Sequence, residues 1–292
     1  MMYGLKMRHL GLVAFSAVLC AWGLAADPLS AGTPSSAAAS ETLLLPGAAN
    51  TVGTHATHWR SDLSLRNPGN DPIEVRVFFL RAGQQNELGG APHRDYFLIS
   101  GETKELRNVV GTELGVSGTG ALVVSASRAL FPNNPAGAMV SALMRTATPL
   151  LLAPGDSGSG IVPAEPTDAA RQTIGSLSHD GVGEKGFRGA VGVVNLSHRD
   201  WLKVKIEYVD AQGELLATKE IHLPPLSSAQ QTSPVRLAKG TARVTRVEGA
   251  GPYIAYATTV DNATGAATFA YAAPEPGQPA AVRPVSYASL AE

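Results

Sequence analysis

The chain has 292 residues, 44% hydrophobic and 16% charged, with 23 basic and 24 acidic side chains and a formal net charge of −1. This balance excludes a nucleic-acid surface, which needs clustered Lys and Arg, and the single cysteine excludes a disulfide framework and a thiolate zinc site. The length suits one large domain or two of ordinary size.

Lys6, Arg8 and His9 precede an apolar run from Leu10 to Ala26 that ends in small residues. A basic start, a short apolar middle and a small-residue end predict a secretory signal peptide over 1–26, cut after Ala25 or Ala26. The run falls short of the roughly 20 residues that span a bilayer, with an uncleaved anchor as the alternative. Cys20 follows Leu19, where a lipoprotein signal wants a small residue, so lipidation is not expected. Cleavage removes Lys6, Arg8 and Cys20, leaving 21 basic against 24 acidic groups, a net charge of −3. The mature chain then has no cysteine and relies on its hydrophobic core alone. Residues 27–41, small, polar and proline-bearing, bury too little apolar surface to offset their ordering entropy and read as a flexible leader.

From residue 42 the apolar pattern has period two. "DLSLRN" (62–67), "IEVRVFFL" (73–80), "ALVVSAS" (121–127), "AVGVVN" (190–195), "LKVKIEYV" (202–209) and "ARVTRV" (242–247) alternate between turn-rich stretches, for which 31 glycines and 20 prolines supply the residues. The expectation is an all-β sandwich or barrel with no amphipathic helix of three turns. An internal repeat sharpens it. "WRSDLSLRN" (59–67) matches "FRGAVGVVN" (187–195), "IEVRVFFL" matches "LKVKIEYV", "GTGALVVSA" (118–126) matches "GTARVTRVE" (240–248), and "VSALMRTAT" (140–148) matches "AYATTVDNAT" (255–264). Four matches in one order predict two β-sandwich domains, over 42–150 and 175–272, joined by a linker over 151–174. Residues 273–292, with four prolines, read as a Pro-rich tail.

The linker contains "APGDSGSG" (153–160). Gly155-Asp156-Ser157-Gly158 resembles the nucleophile loop of chymotrypsin-like serine proteases, and His58, Asp95 and Ser157 occur in that family's His, Asp, Ser order. A triad is defined by geometry, however, and order is weak support for one. Ser159-Gly160 follow where the family has Gly-Pro, a single repeat precedes Ser157 where two barrels are needed, and the second copy has no serine loop. Ala, Pro, Gly, Asp and Ser between two domains are also the composition of a linker.

Other candidates divide the same way. Arg60 and Arg188 match across the repeat, as do Asn67 and Asn195. A reused carboxylate- or sugar-binding position competes with a cross-sheet Arg and a turn-bonding Asn, and turn chemistry alone explains the asparagines. "NPGNDP" (67–72) and "VDNATG" (260–265) offer oxygen ligands for calcium but lack the spaced carboxylates of a dedicated loop, so they read as tight turns. His55 and His58 lie close but do not make a metal site by themselves. Trp59, Trp201, Tyr253 and Tyr256 are either a sugar-stacking surface or core, and aromatics in sandwiches are usually core.

The paired "W/F-R" strands, "IVPAEP" (161–166) between copies and "AYATTVDNATGAATFAYA" (255–272) together resemble a group of uncharacterised bacterial secreted proteins built from tandem immunoglobulin-like sandwiches. The resemblance covers most of 42–272, implies that "GSGIVPAEP" (158–166) connects the copies, and brings no catalytic, cofactor-binding or metal-binding residues. The resulting expectation is a secreted or periplasmic, non-catalytic binding, adhesion or structural module without a cofactor. Its partner would be a protein or glycan at the cell surface or in the periplasm, not nucleic acid, with no stable membrane span after signal cleavage. The alternative is a secreted serine hydrolase using Ser157.

Overall fold

A computed structural model describes residues 40–53, 57–128, 138–149, 156–164, 166–181 and 185–276. The signal peptide over 1–26, nearly all of the leader, His55 and most of the tail lie outside the described residues. No helix among those described is long and apolar enough to cross a membrane.

The fold is all-β and antiparallel. The first eight strands are β1 (Thr42–Val52), β2 (His58–Arg66), β3 (Ile73–Arg81), β4 (His93–Leu98), β5 (Thr103–Leu106), β6 (Gly118–Arg128), β7 (Ser141–Pro149) and β8 (Asp156–Ile161). A π-helical turn, Val109–Glu113, separates β5 from β6. The sheet runs β4-β3-β6-β1-β2-β7-β8, with β5 on the free side of β2. β1 links its two parts: residues Thr42 to Asn50 pair with β6, and the last residues, Asn50 to Val52, pair with Trp59 and its neighbours. The bend falls at Gly47, where the ladder slips and φ is +78°, a conformation a side chain resists. Alternate residues then point into one core: Leu43 and Leu45 of β1, Val75 and Val77 of β3, Leu63 and Leu65 of β2, and Met144 of β7.

The remaining strands are β9 (Arg171–His179), β10 (Phe187–Asn195), β11 (Leu202–Val209), β12 (Leu215–Leu223), β13 (Ser228–Thr232), β14 (Leu237–Glu248), β15 (Tyr253–Asp261), β16 (Ala267–Tyr271) and β17 (Ala273–Pro274). They form two sheets, β12-β11-β14-β9-β17 and β13-β10-β15-β16, around a core that includes Ile174, Val193, Ile206, Tyr208, Val244 and Tyr253. The two halves share one strand order: β4-β3-β6-β1 corresponds to β12-β11-β14-β9, and β5-β2-β7-β8 to β13-β10-β15-β16.

The strand ladders shift two of the four sequence matches. Val75 pairs with Ala126 and Val204 with Arg246, so Ala126 corresponds to Arg246 rather than Glu248. Arg66 pairs with Ser141 and Val194 with Ile254, so Ser141 corresponds to Ile254 rather than Tyr256. Both displacements are two residues, one full pleat, and keep every side chain on its face.

A third core lies between the halves. Leu44, Phe78, Leu80 and Val123, on the outer face of β4-β3-β6-β1, pack with Val194, Leu196, Ile254 and Tyr256, on the outer face of β13-β10-β15-β16. The result is four stacked layers, and the described residues belong to one compact unit. The turn before β13 seals the contact. Leu226, buried with φ +49°, donates its N–H to Ser197 O at 3.0 Å, and its carbonyl accepts from Asn86 Nδ2 at 2.8 Å. A left-handed leucine costs roughly 1–2 kcal/mol, which the surrounding contacts must offset.

The expected linker, 151–174, is not loose coil where it is described. Residues 156–161 form β8, Ala164 donates to Leu44 O at 2.8 Å, Thr167 pairs with Tyr253, and β9 begins at Arg171. Glycine is what lets β8 close on β7: a Cβ at Gly158 would stand 2.4 Å from Thr146 O. The expected tail likewise begins as structure. Ala273 and Pro274 pair with β9, and Thr173 Oγ1 donates to Glu275 at 3.1 Å.

Candidate functional site

The face shared by β10, β13, β15 and β16 changes character along its length. At one end Val194 and Ile254 belong to the inter-sandwich core. Toward the other end the same face carries Ala190 on β10, Gln230 and Thr232 on β13, and Thr258 and Val260 on β15. Small and hydroxylated side chains there leave room, and a cavity of about 550 Å³ opens between this face and the first sandwich. That volume falls within the ~300–1,000 Å³ of small-ligand sites.

The opposite wall comes from the bend in β1 and from its neighbours. Gly47, Ala48 and Thr51 contribute from β1, Trp59 from β2, Thr119 and Gly120 from β6, and Ser159 and Ile161 from β8. Glycine and alanine here bring a ligand close to backbone. Two further aromatic side chains line the cavity. Tyr256 and Phe269 stack with centroids 4.9 Å apart and an interplanar angle of 14°. The tyrosine lies across β10 at Gly192, where a Cβ would meet its ring at 2.1 Å. Burial pushes the Tyr256 hydroxyl well above the usual phenol range.

Polar groups on both walls are already oriented. Gln230 Nε2 donates to Thr258 Oγ1 at 2.7 Å, and Tyr256 Oη donates to Gln230 Oε1 at 3.4 Å. Thr146 Oγ1 donates to Gly47 O at 3.0 Å and lies 2.7 Å from Ser61 Oγ, which accepts from Ala49 N–H at 2.9 Å. Arg188 supplies a guanidinium to the lining, and burial holds it below its ordinary value. No Asp, Glu, Lys or His stands among the described lining residues.

The strand order places His58 and Ser157 on either side of β7, at Thr148, and leaves Asp95 on a distant strand. His58 lies exposed on β2, where its N–H donates to Thr148 Oγ1 at 3.2 Å. Ser157 lies on β8, opposite Thr148 of β7 in the ladder. Asp95 lies on β4, with β3, β6 and β1 between it and β2. Arg76 holds its carboxylate through two bonds, at 2.5 and 2.7 Å, and keeps it below the usual carboxylate range. The Asp95 carboxylate thus has Arg76 as its partner, and its strand stands four places from that of His58 in the sheet order.

The matched asparagines have equivalent surroundings. Asn67 Nδ2 donates to the carbonyls of Asp71, Leu98 and Ile99 at 2.9, 3.2 and 3.1 Å, and its Oδ1 accepts from Gly69 N–H at 2.9 Å. Asn195 Nδ2 donates to Asp200, Leu223 and Pro224 carbonyls at 2.9, 3.3 and 3.0 Å, and its Oδ1 accepts from Ser197 N–H at 3.0 Å. Asn67 ties the end of β2 to the end of β4, and Asn195 ties the end of β10 to the end of β12. The matched arginines diverge: Arg188 lines the cavity, whereas Arg60 sits on β2 opposite Ala147.

"NPGNDP" and "VDNATG" are turns. In the second, Asp261 Oδ1 accepts from Ala263 N–H at 2.8 Å. Among the described residues no group of three or more His, Cys, Asp or Glu converges on a point. Of the four aromatics, Tyr253 is core at 0% exposure, beneath the Arg246 guanidinium at 5.0 Å, and Trp201 is 61% exposed. Trp59 and Tyr256 reach the cavity. Phe269, Gln230 and Thr258 were not singled out from sequence, although the alternation in "ATFAY" places Phe269 and Tyr271 on one face.

No protein-family model and no curated protein matches the chain. Among solved structures it is similar to a calcium-binding mutant of beta-glucuronidase 2 from Bacteroides uniformis, at 12% identity and TM-score 0.16, over 74% of this chain and 26% of that one. It is also similar to the T13 viral particle of IBDV, at 10% identity and TM-score 0.16, over 80% of this chain and 70% of that one. The chain thus spans about a quarter of the first. Likeness at these scores carries no argument.

Proposed function

We propose that the protein is an exported, non-catalytic binding module of two tandem immunoglobulin-like sandwiches, and that its ligand enters the cavity between them. The cavity carries this reading: about 550 Å³ lined by hydroxyls, an amide, a guanidinium and three aromatic side chains. The tandem assignment is supported by the common strand order of the halves. In each, the pairings β2–β5 and β4-β3-β6 parallel the B–E and C′–C–F pairings of immunoglobulin domains, while the first strand flanks the sixth and the seventh flanks the second. Export is supported by the basic, apolar and small-residue order of 1–26. The partner is a protein or glycan met at the cell surface or in the periplasm.

The test is a panel of glycans, peptides and lipids offered to the mature chain and to Ala190→Trp, which fills the cavity from its floor. A ligand held by the parent, and lost in a variant with an unchanged unfolding midpoint, supports the reading. Ligands held equally by both proteins place binding elsewhere and sink it.

A further inference from the structure

We infer that the ligand of the inter-sandwich cavity is a short saccharide, recognised through its hydroxyls and one ring face; this rests on the proposal that the cavity is the binding site. The lining is the observation. Thr51, Thr119, Thr232, Thr258, Ser159 and Ser228 place hydroxyls around the space, and each hydroxyl both donates and accepts. A polyol presents the same dual chemistry at every carbon, so it can satisfy such a lining without a fixed charge. An inorganic cation would find no carboxylate among the described lining residues, and a polyphosphate would find a single guanidinium.

The aromatic side chains add the second half of the match. Trp59 is half-buried against Gly53, where a Cβ would stand 2.7 Å from the indole Nε1, so a glycine leaves room for the ring. Tyr256 and Phe269 close the space with a stacked pair that itself packs onto Gly47. The Tyr256 ring is covered by Gly192 and Phe269, so the half-buried Trp59 indole is the apolar face left for the C–H side of a pyranose. A purely apolar ligand would leave the Gln230–Thr258 pair and the surrounding hydroxyls facing hydrocarbon, which costs free energy. Arg188 can serve either a ring hydroxyl or a sugar carboxylate, and neutral and uronate-bearing saccharides are the two sources of that chemistry.

The experiment measures calorimetric binding of neutral and uronate-bearing oligosaccharides to the mature chain, Gln230→Ala, Thr258→Val and Ala190→Trp. Saccharides of either kind should bind the parent. Thr258→Val, which keeps shape and loses only the hydroxyl, and Gln230→Ala should each weaken binding about tenfold at unchanged unfolding midpoints. Ala190→Trp should abolish binding. Saccharide binding untouched by Thr258→Val and Gln230→Ala overturns the inference. So does a panel in which only a peptide or lipid binds and is blocked by Ala190→Trp, an outcome that keeps the site and discards the ligand class. Binding that no cavity variant affects discards both.

Discussion

At the residue scale, the asparagines that end β2 and β10 have the best-defined task. Each is buried, at 0% and 1% exposure, and each supplies one amide to three carbonyls from two chain segments. Only Asn carries an uncharged NH2 donor on so short a stem, since the Gln amide stands one methylene further out. Replacing Asn67 or Asn195 by Ala leaves buried carbonyls unpaired and should cost roughly 2–3 kcal/mol in urea unfolding. Asn67→Asp keeps the acceptor but turns a carboxylate oxygen toward those carbonyls, and should be at least as damaging. A loss below about 0.5 kcal/mol in both alanine variants, the range of ordinary surface changes, would contradict the assigned task. Their turn role was legible from sequence, since Asn before a Pro/Gly or Ser turn has few competing explanations. The carbonyls they reach, 28 to 32 residues away, were not.

At the element scale, the second sandwich carries a titratable joint between its layers. His179 at the end of β9 accepts through Nδ1 from the Gly189 N–H of β10 at 3.1 Å, which requires that nitrogen to be unprotonated. Burial lowers its pKa, and the nearby Asp180 only partly opposes this. The folded state thus holds the proton less tightly than the unfolded chain. The joint contributes fully above the ordinary imidazole value. Its contribution falls as pH drops below that value and is lost as pH passes through the lower folded-state value. His179→Asn places an uncharged acceptor near the same point. Urea midpoints at about pH 7.5 and about pH 5 should differ less for His179→Asn than for the parent. An equal or larger difference in the variant would remove His179 from the pH dependence. The same scale explains β8. Its composition reads as linker because small residues are shared by linkers and by strands that must approach a neighbour closely, and only the contact at Gly158 distinguishes them.

At the scale of the whole molecule, the shared core makes the halves interdependent. Phe78, Leu80, Val123, Val194 and Ile254 are nearly fully buried between the sandwiches, and each such side chain is worth about 1.5–3 kcal/mol of burial. A half produced alone would expose this face, an apolar patch of the kind that recruits a partner. Co-purified or mixed fragments 40–164 and 166–276 should therefore form a 1:1 complex in sedimentation. Phe78→Asp in the first fragment should prevent it, because a carboxylate would be buried without a partner. Fragments that stay separate, each with its own cooperative transition, would restore the picture of independent domains on a tether.

In the sequence by itself, period-two alternation and abundant turn residues were enough to specify an all-β fold, a sandwich or a barrel. The sequence also carried a trace of the stacking. "LLL" at 43–45, "VFFL" at 77–80, "LVV" at 122–124 and "YIAY" at 253–256 are apolar on consecutive residues, the pattern of strands buried on both faces. Local alternation cannot say what the second face meets, nor distinguish a ladder from one displaced by two residues, since both leave the faces unchanged. That the outer face of β3 and β6 packs on that of β10 and β15, and that the mismatch between them beyond Val194 leaves a cavity, follows from long-range packing. That outcome depends on contacts between residues more than a hundred positions apart, such as Asn86 with Leu226, and no window of sequence contains both partners.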